Sequence, residues 1–186
     1  MDRRTLLSAS TALLSGCAGF FASVPFVRSF LPSARAKGLA NPVEVDLDNI
    51  PPGEVRAYSY RGATMLVLHR TPEMLEQVAE TADLVLDATT IDPPYVDPTH
   101  RAIMPEFLVV RGVCTHLGCV PQIKREEGKQ IVGAWWPGGF ICPCHQSGFD
   151  YAGRVIRGPA GTNLPVPPHR FAGPTRLIIG EEAQPT

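Results

Sequence analysis

The chain has 186 residues, 44% apolar and 19% charged, a balance that suits one modest globular domain and excludes both a disordered chain and one embedded wholly in lipid. Seventeen Lys and Arg against 18 Asp and Glu leave no excess charge to draw it to nucleic acid or to an acidic substrate. Seventeen Gly and 19 Pro are too many for a helical bundle and favour a turn-rich β protein.

Twenty-three consecutive residues, Thr5 to Val27, carry no charge. As a helix rising ~1.5 Å per residue they reach ~34 Å, enough for a ~30 Å hydrocarbon core. Arg3-Arg4 stand directly before them, and the pair resembles a twin-arginine export signal, whose pathway carries folded proteins. Leu14-Ser15-Gly16-Cys17 resembles a lipobox, but the residues after Cys17 stay apolar, and the run exceeds the about 7–15 residues of a cleaved signal's apolar region. The expectation is a retained single-pass anchor over residues 5–27 in the inner (cytoplasmic) membrane, with residues 1–4 cytoplasmic and the remainder periplasmic. Arg28, Arg35 and Lys37 beyond the span leave the positive-inside rule undecided, so the orientation rests on the twin arginine. Residues 28–42, small, polar and Pro-bounded from Pro32 to Pro42, have the composition of a hinge or linker.

Beyond it, Val43 to Leu47 alternates with period two, while Thr64–Leu68, Phe107–Val110, Gln130–Trp135 and Arg176–Ile179 read as further strands of antiparallel sheets. One helix interrupts them. Thr71 suits its N-cap, Pro72 its first position and Glu73 its positive end, with Met74, Leu75, Val78 and Ala79 on the buried face. Residues 87–105, with four prolines, read as an irregular connection.

Two clusters carry the chemistry: Cys114-Thr115-His116-Leu117-Gly118-Cys119 and Cys142-Pro143-Cys144-His145-Gln146-Ser147, separated by 22 residues. Both lie where strands give way to Gly- and Pro-containing loops, so two loops can converge on one site. Six candidate ligands exceed the four that one tetrahedral zinc needs. Two thiolates and two imidazoles on a metal centre, with the other cysteine pair as a disulfide, would use all six, and that partition fits a two-iron, two-sulfur centre.

These paired C-T-H-L-G-C and C-P-C-H motifs resemble the Rieske iron–sulfur family. The flanks HRTPEML, PPYVDPTHRAIMPEFLVVRGVCTHLGC and GRVIRGPAGTNLPVP are similar to its bacterial-type members in quinol–cytochrome c reductases, the bc1 complexes, and the likeness covers nearly the whole chain. It implies a mainly β fold: an N-terminal transmembrane helix, then a Rieske-type domain over 43–186 with antiparallel sheets, one inserted helix and a small cluster-binding lobe at about 111–161. One [2Fe-2S] cluster is implied, with Cys114 and Cys142 on the inner iron, His116 and His145 on the outer one, and Cys119 joined to Cys144. An oxidoreductase subunit follows, active within its complex, in which His145 and His116 carry the reaction and His145 takes an electron and a proton from quinol before the head reduces cytochrome c1. The implied partners are cytochrome b, cytochrome c1, quinol and the membrane, within a dimeric complex and without nucleic acid.

The resemblance also makes Leu117 an apolar docking residue and Gly158-Pro159-Ala160 a loop that shields the cluster. Ser147 keeps a hydroxyl for a bridging sulfide, whereas Phe149 stands where the family commonly has a tyrosine. Fewer donors stabilise the reduced cluster less, which implies a lower midpoint potential than in the tyrosine-bearing form. Gln146 replaces a glycine and puts the loop's backbone conformation in question, and Gly161 replaces a proline. With the same chemistry, the motifs also admit the small subunit of another exported oxidoreductase, such as arsenite oxidase, and in a different class a structural zinc site, as in a non-redox zinc-binding lipoprotein. His69, His100 and His169 are expected in surface or packing roles, Trp135 and Trp136 as core and rim of the lobe, and Lys124–Lys129 as a solvated turn.

Overall fold

The uncharged run lies within a single helix, α1 (Arg3–Ser29), whose 27 residues reach ~40 Å. This computed structural model describes residues 2–183, apart from the side chains of Arg35 and Leu39. The outer bounds expected for the first and last segments, Met1 and residues 184–186, lie outside the described residues. None of α1 is buried by protein, and it is long and apolar enough to cross a membrane. Ser8, Ser10 and Thr11 return their hydroxyls to carbonyls one turn back, so these polar groups need no outside partner. The segment expected as a hinge or linker holds a short helix, α2 (Ala34–Leu39). Ser33 Oγ accepts from Ala36 N at 3.1 Å and caps it, and Ala, Lys and Leu favour the helical state.

The chain divides between Gly38 and Leu39 into two compact units, and the second holds every sheet. Its central sheet has the order β2 (Val55–Tyr60), β3 (Ala63–His69), β4 (Phe107–Arg111), all antiparallel. Strand β3 is apolar on both faces because both are covered. Met65 and Val67, with Phe107 and Val109 of β4, face Val45, Leu177 and Ile179, from a second sheet ordered β1 (Val43–Asp46), β10 (Arg176–Ile179), β9 (His169–Phe171). Leu66 and Leu68, with Leu108 and Val110, face a core that includes Met74, Phe140, Phe149, Cys114 and Cys142. The two cysteines expected as ligands are thus built into the main core.

Helix α3 (Pro72–Glu80) has the expected N-cap, with Thr71 Oγ1 accepting from Met74 N at 3.4 Å. Met74 and Val78 are buried, whereas Leu75 is half-buried and Ala79 exposed, so the covered stripe is narrower than expected. Residues 87–105 are irregular apart from one bridge between Asp97 and Ala102.

A third sheet has the order β5 (Gln122–Lys124), β6 (Gly139–Ile141), β7 (Gly148–Phe149), β8 (Val155–Arg157), antiparallel throughout. Between β5 and β6 the expected strand over Gln130–Trp135 is replaced by a helix, α4 (Gly128–Val132). Gly133, at φ 117°, ends it, and Val132 packs with Trp136, Ile141 and Ile156. The helix is one short turn, and its five residues are too few to show a helical period in the sequence. Trp136 is buried and Trp135 half exposed, and Gly128 lies buried beneath the Trp136 indole, so the expected turn of Lys124–Lys129 is solvated only in part.

Candidate metal centre

The two motifs occupy the loops β4–β5 and β6–β7, and the loops are built alike. In each six-residue loop the first residue's N–H donates to the last carbonyl, Cys114 to Cys119 at 2.7 Å and Cys142 to Ser147 at 2.8 Å. The fifth donates back to the first, Gly118 to Cys114 and Gln146 to Cys142, both at 2.9 Å. That closure sets the fifth residue in the left-handed region, at φ 87° for Gly118 and 59° for Gln146. Gln146 therefore keeps a glycine-like backbone, at a cost of ~1–2 kcal/mol for a residue with a Cβ.

Cys119 and Cys144 form a disulfide across the loops, so neither offers a thiolate. Cys114 and Cys142 are free thiols, each 2% exposed. The sulfur of Cys142 lies within 4.8 Å of both disulfide sulfurs. Burial pushes the Cys114 thiol pKa up and the neighbouring Cys142 adds to this, while the Ser147 hydroxyl opposes it. The His116 and His145 rings stand edge to face, centroids 4.8 Å apart. His145 is exposed and His116 half-buried, and the buried His116 Nδ1 has no hydrogen-bond partner.

An unpaired buried ring nitrogen is costly, and the two buried free cysteines add two soft sulfur donors. A metal centre would satisfy all three atoms. Thiolate and imidazole donors suit iron–sulfur or zinc, not the hard cations that take oxygen. The residues therefore fit a cluster held by two sulfurs and two nitrogens. Among the described residues, this is where both motifs converge.

The surroundings hold the loops in place. Ser147 Oγ accepts from Ala160 N at 2.9 Å, and Thr115 Oγ1 donates to Thr162 O at 2.6 Å, so the 158–162 segment ties both loops. Ala160 is buried there and Pro159 exposed. Leu117 stands 70% exposed at its loop's apex. Phe149 is fully buried and pairs with Phe140 across β6 and β7. Two of the other histidines pack: His69 stacks on Phe107 at 4.4 Å, and His169 is buried with Nδ1 against Pro167 O at 2.9 Å.

A buried polar frame behind the centre was not singled out from the sequence. Asp150 accepts from Ala152 N at 2.8 Å, Thr81 Oγ1 at 3.1 Å and Arg154 Nε at 2.6 Å, and Arg154 also donates to Val78 O. This fixes the turn after Phe149 to the end of α3. Arg101, 2% exposed, forks onto Asp92 and donates to the carbonyls of Ala152, Gly153 and Leu164. Arg70 donates to the carbonyls of Pro105, His100 and Tyr151, and burial lowers its pKa to about 10, leaving it charged at neutral pH. Asp87 accepts from Thr89, Thr90 and Asn163, and these hydrogen bonds, led by that from Thr90, hold its carboxyl well below the usual range. The spacing Asp150-Tyr151-Ala152-Gly153-Arg154, a charge pair around a turn, was the one local signal available.

Antiparallel sheets that present two disulfide-linked loops, each with one buried thiol and one imidazole, define a Rieske-type protein. In agreement, the Rieske [2Fe-2S] domain family matches residues 47–168. Three bacterial proteins, each called ubiquinol–cytochrome c reductase iron–sulfur subunit, align over almost the whole chain. That of Allochromatium vinosum is 42% identical over 97% of this chain and 89% of its own. The Blastochloris viridis protein is 38% identical (96% and 92%), and that of Bradyrhizobium diazoefficiens 35% (96% and 94%). The chain belongs to this family of Rieske iron–sulfur subunits.

Proposed function

We propose that the protein is the electron-transfer subunit of a bacterial quinol–cytochrome c reductase, with Cys114 and Cys142 on one iron of a [2Fe-2S] cluster and His116 and His145 on the other. The observation that carries this reading is the pair of like-built loops, which places two buried thiols beside two edge-to-face imidazoles while the other two cysteines are oxidised. When bound, such a cluster supplies a one-electron acceptor at about −150 to +300 mV, against about −400 mV with four cysteines. The chain's residues set how that acceptor is reached. His145, exposed, meets quinol and holds its proton at a ring nitrogen. His116, with its Nδ1 turned inward, holds the second position, and Leu117 beside it offers the apolar contact for docking. Ser147, tied to Ala160, brings a hydroxyl to the sulfur side, and fully buried Phe149 brings none.

The membrane placement belongs to the same proposal. Helix α1 is retained as a single-pass anchor behind the twin-arginine segment 1–4, with residues 28–42 as the hinge and the domain of residues 43–186 in the periplasm. Its cluster-binding lobe spans about 111–161. Cytochrome b and cytochrome c1 are the partners, in a dimeric complex. The full-length chain, purified from its own membranes in mild detergent, is expected to bring both cytochromes with it, and membranes lacking it to lose quinol-dependent reduction of cytochrome c1. Isolation free of both cytochromes, with that reduction intact in the deleted membranes, would contradict the proposal.

A further inference from the structure

Arg157 is the last residue of β8 and lies opposite Gly148 of β7. Its guanidinium reaches past that register position to the corner of the second loop, where Nη1 donates to Gln146 O at 2.6 Å and to Gln146 Oε1 at 3.3 Å. Gln146 separates His145 from Ser147 and takes the left-handed backbone that Gly118 takes in the first loop. Glycine adopts that conformation freely and glutamine does not. Here the strained residue is held on both sides, its N–H by Cys142 O and its carbonyl and amide oxygen by one cation. A charge-assisted hydrogen bond is short and about twice as strong as a neutral one, so the corner cannot relax without breaking it.

We propose that Arg157 is a positioning residue for the centre: it clamps Gln146, thereby fixing the His145 loop, and its charge favours the reduced state. An electron entering the site adds one negative charge, and a partly buried cation tied to the loop stabilises that charge more than one free in solvent would. The effect opposes that of Phe149, whose missing hydroxyl disfavours reduction. The inference rests on the ligand assignment proposed above.

The test is an EPR-monitored redox titration of the full-length protein in detergent, with thermal unfolding followed in parallel. Arg157→Gln keeps hydrogen-bonding capacity and removes the charge. It is expected to lower the reduced-to-oxidised ratio at fixed potential by about three- to tenfold, the upper end being ~59 mV for a one-electron couple. Arg157→Lys keeps the charge and most of the potential. A purely structural role would lower the melting temperature and leave the midpoint in place. Should Arg157→Gln fail to load the centre, the double variant Gln146→Gly/Arg157→Gln carries the comparison against Gln146→Gly, since glycine relieves the corner without the clamp. A midpoint unchanged or raised on loss of the charge overturns the inference. Absence of the Rieske signal in the unaltered protein would instead overturn the ligand assignment.

Discussion

Gly139→Ala prevents the cluster-binding sheet from forming. Gly139 opens β6 at φ 134°, a backbone conformation strained for any residue with a Cβ. A Cβ there would stand 2.1 Å from Phe149 O and 2.9 Å from Asp150 Cα. Both atoms are backbone at the end of β7 and in the turn after it, which Asp150, Arg154 and Thr81 fix in place, so no side chain can swing aside. The cost exceeds ~4 kcal/mol, against a total stability of ~5–15 kcal/mol for such a domain. Cys142 lies three residues downstream and loses its position with the strand. Iron content and thermal unfolding of the variant check this, and an unaltered melting temperature with full iron would refute it.

Cys144→Ser has the second largest effect. The bond to Cys119 closes a loop with a sequence separation of 25, for which the chain-entropy relation gives about 3.5 kcal/mol at 25 °C. For a domain of this size that is about 10 °C in melting temperature. The variant also frees the two loops from each other, so loaded protein loses iron faster on dilution. Cys119→Ser is expected to match it and the double variant to cost no more, because one bond is removed in every case. Additive losses from the two single variants would show that the cysteines act separately.

How much of this was legible in the sequence depends on how local the determinants are. Thr71-Pro72-Glu73 encode a helix start within three residues, and β3 and β10 are apolar enough to declare themselves. The candidate site was legible as two short motifs, holding Cys114, His116, Cys142 and His145, whose loops the fold brings together, and the disulfide followed from the family likeness. What stayed hidden is non-local. Strands of two or three residues such as β7 and β8 have no periodicity to read, and the apolar residues of Gln130–Trp135 read as a strand although the run begins in a helix of five residues that ends at Gly133. The contacts of Arg154 with Val78 and of Arg101 with Leu164 join positions 76 and 63 residues apart, and no local pattern announces them. Arg157 gave no sign of its role, since the reason for it, the left-handed backbone of Gln146, exists only once the loop has closed.

Two imidazoles and two thiolates are proposed to hold the redox centre at the paired loops. An EPR-monitored redox titration of the full-length protein, repeated across pH, tests it most directly. A rhombic signal with average g below the free-electron value, appearing on one-electron reduction with a midpoint that falls at alkaline pH, is the expected result. A protein that contains iron and sulfide yet shows no such signal after dithionite, or one that contains zinc alone, would contradict it.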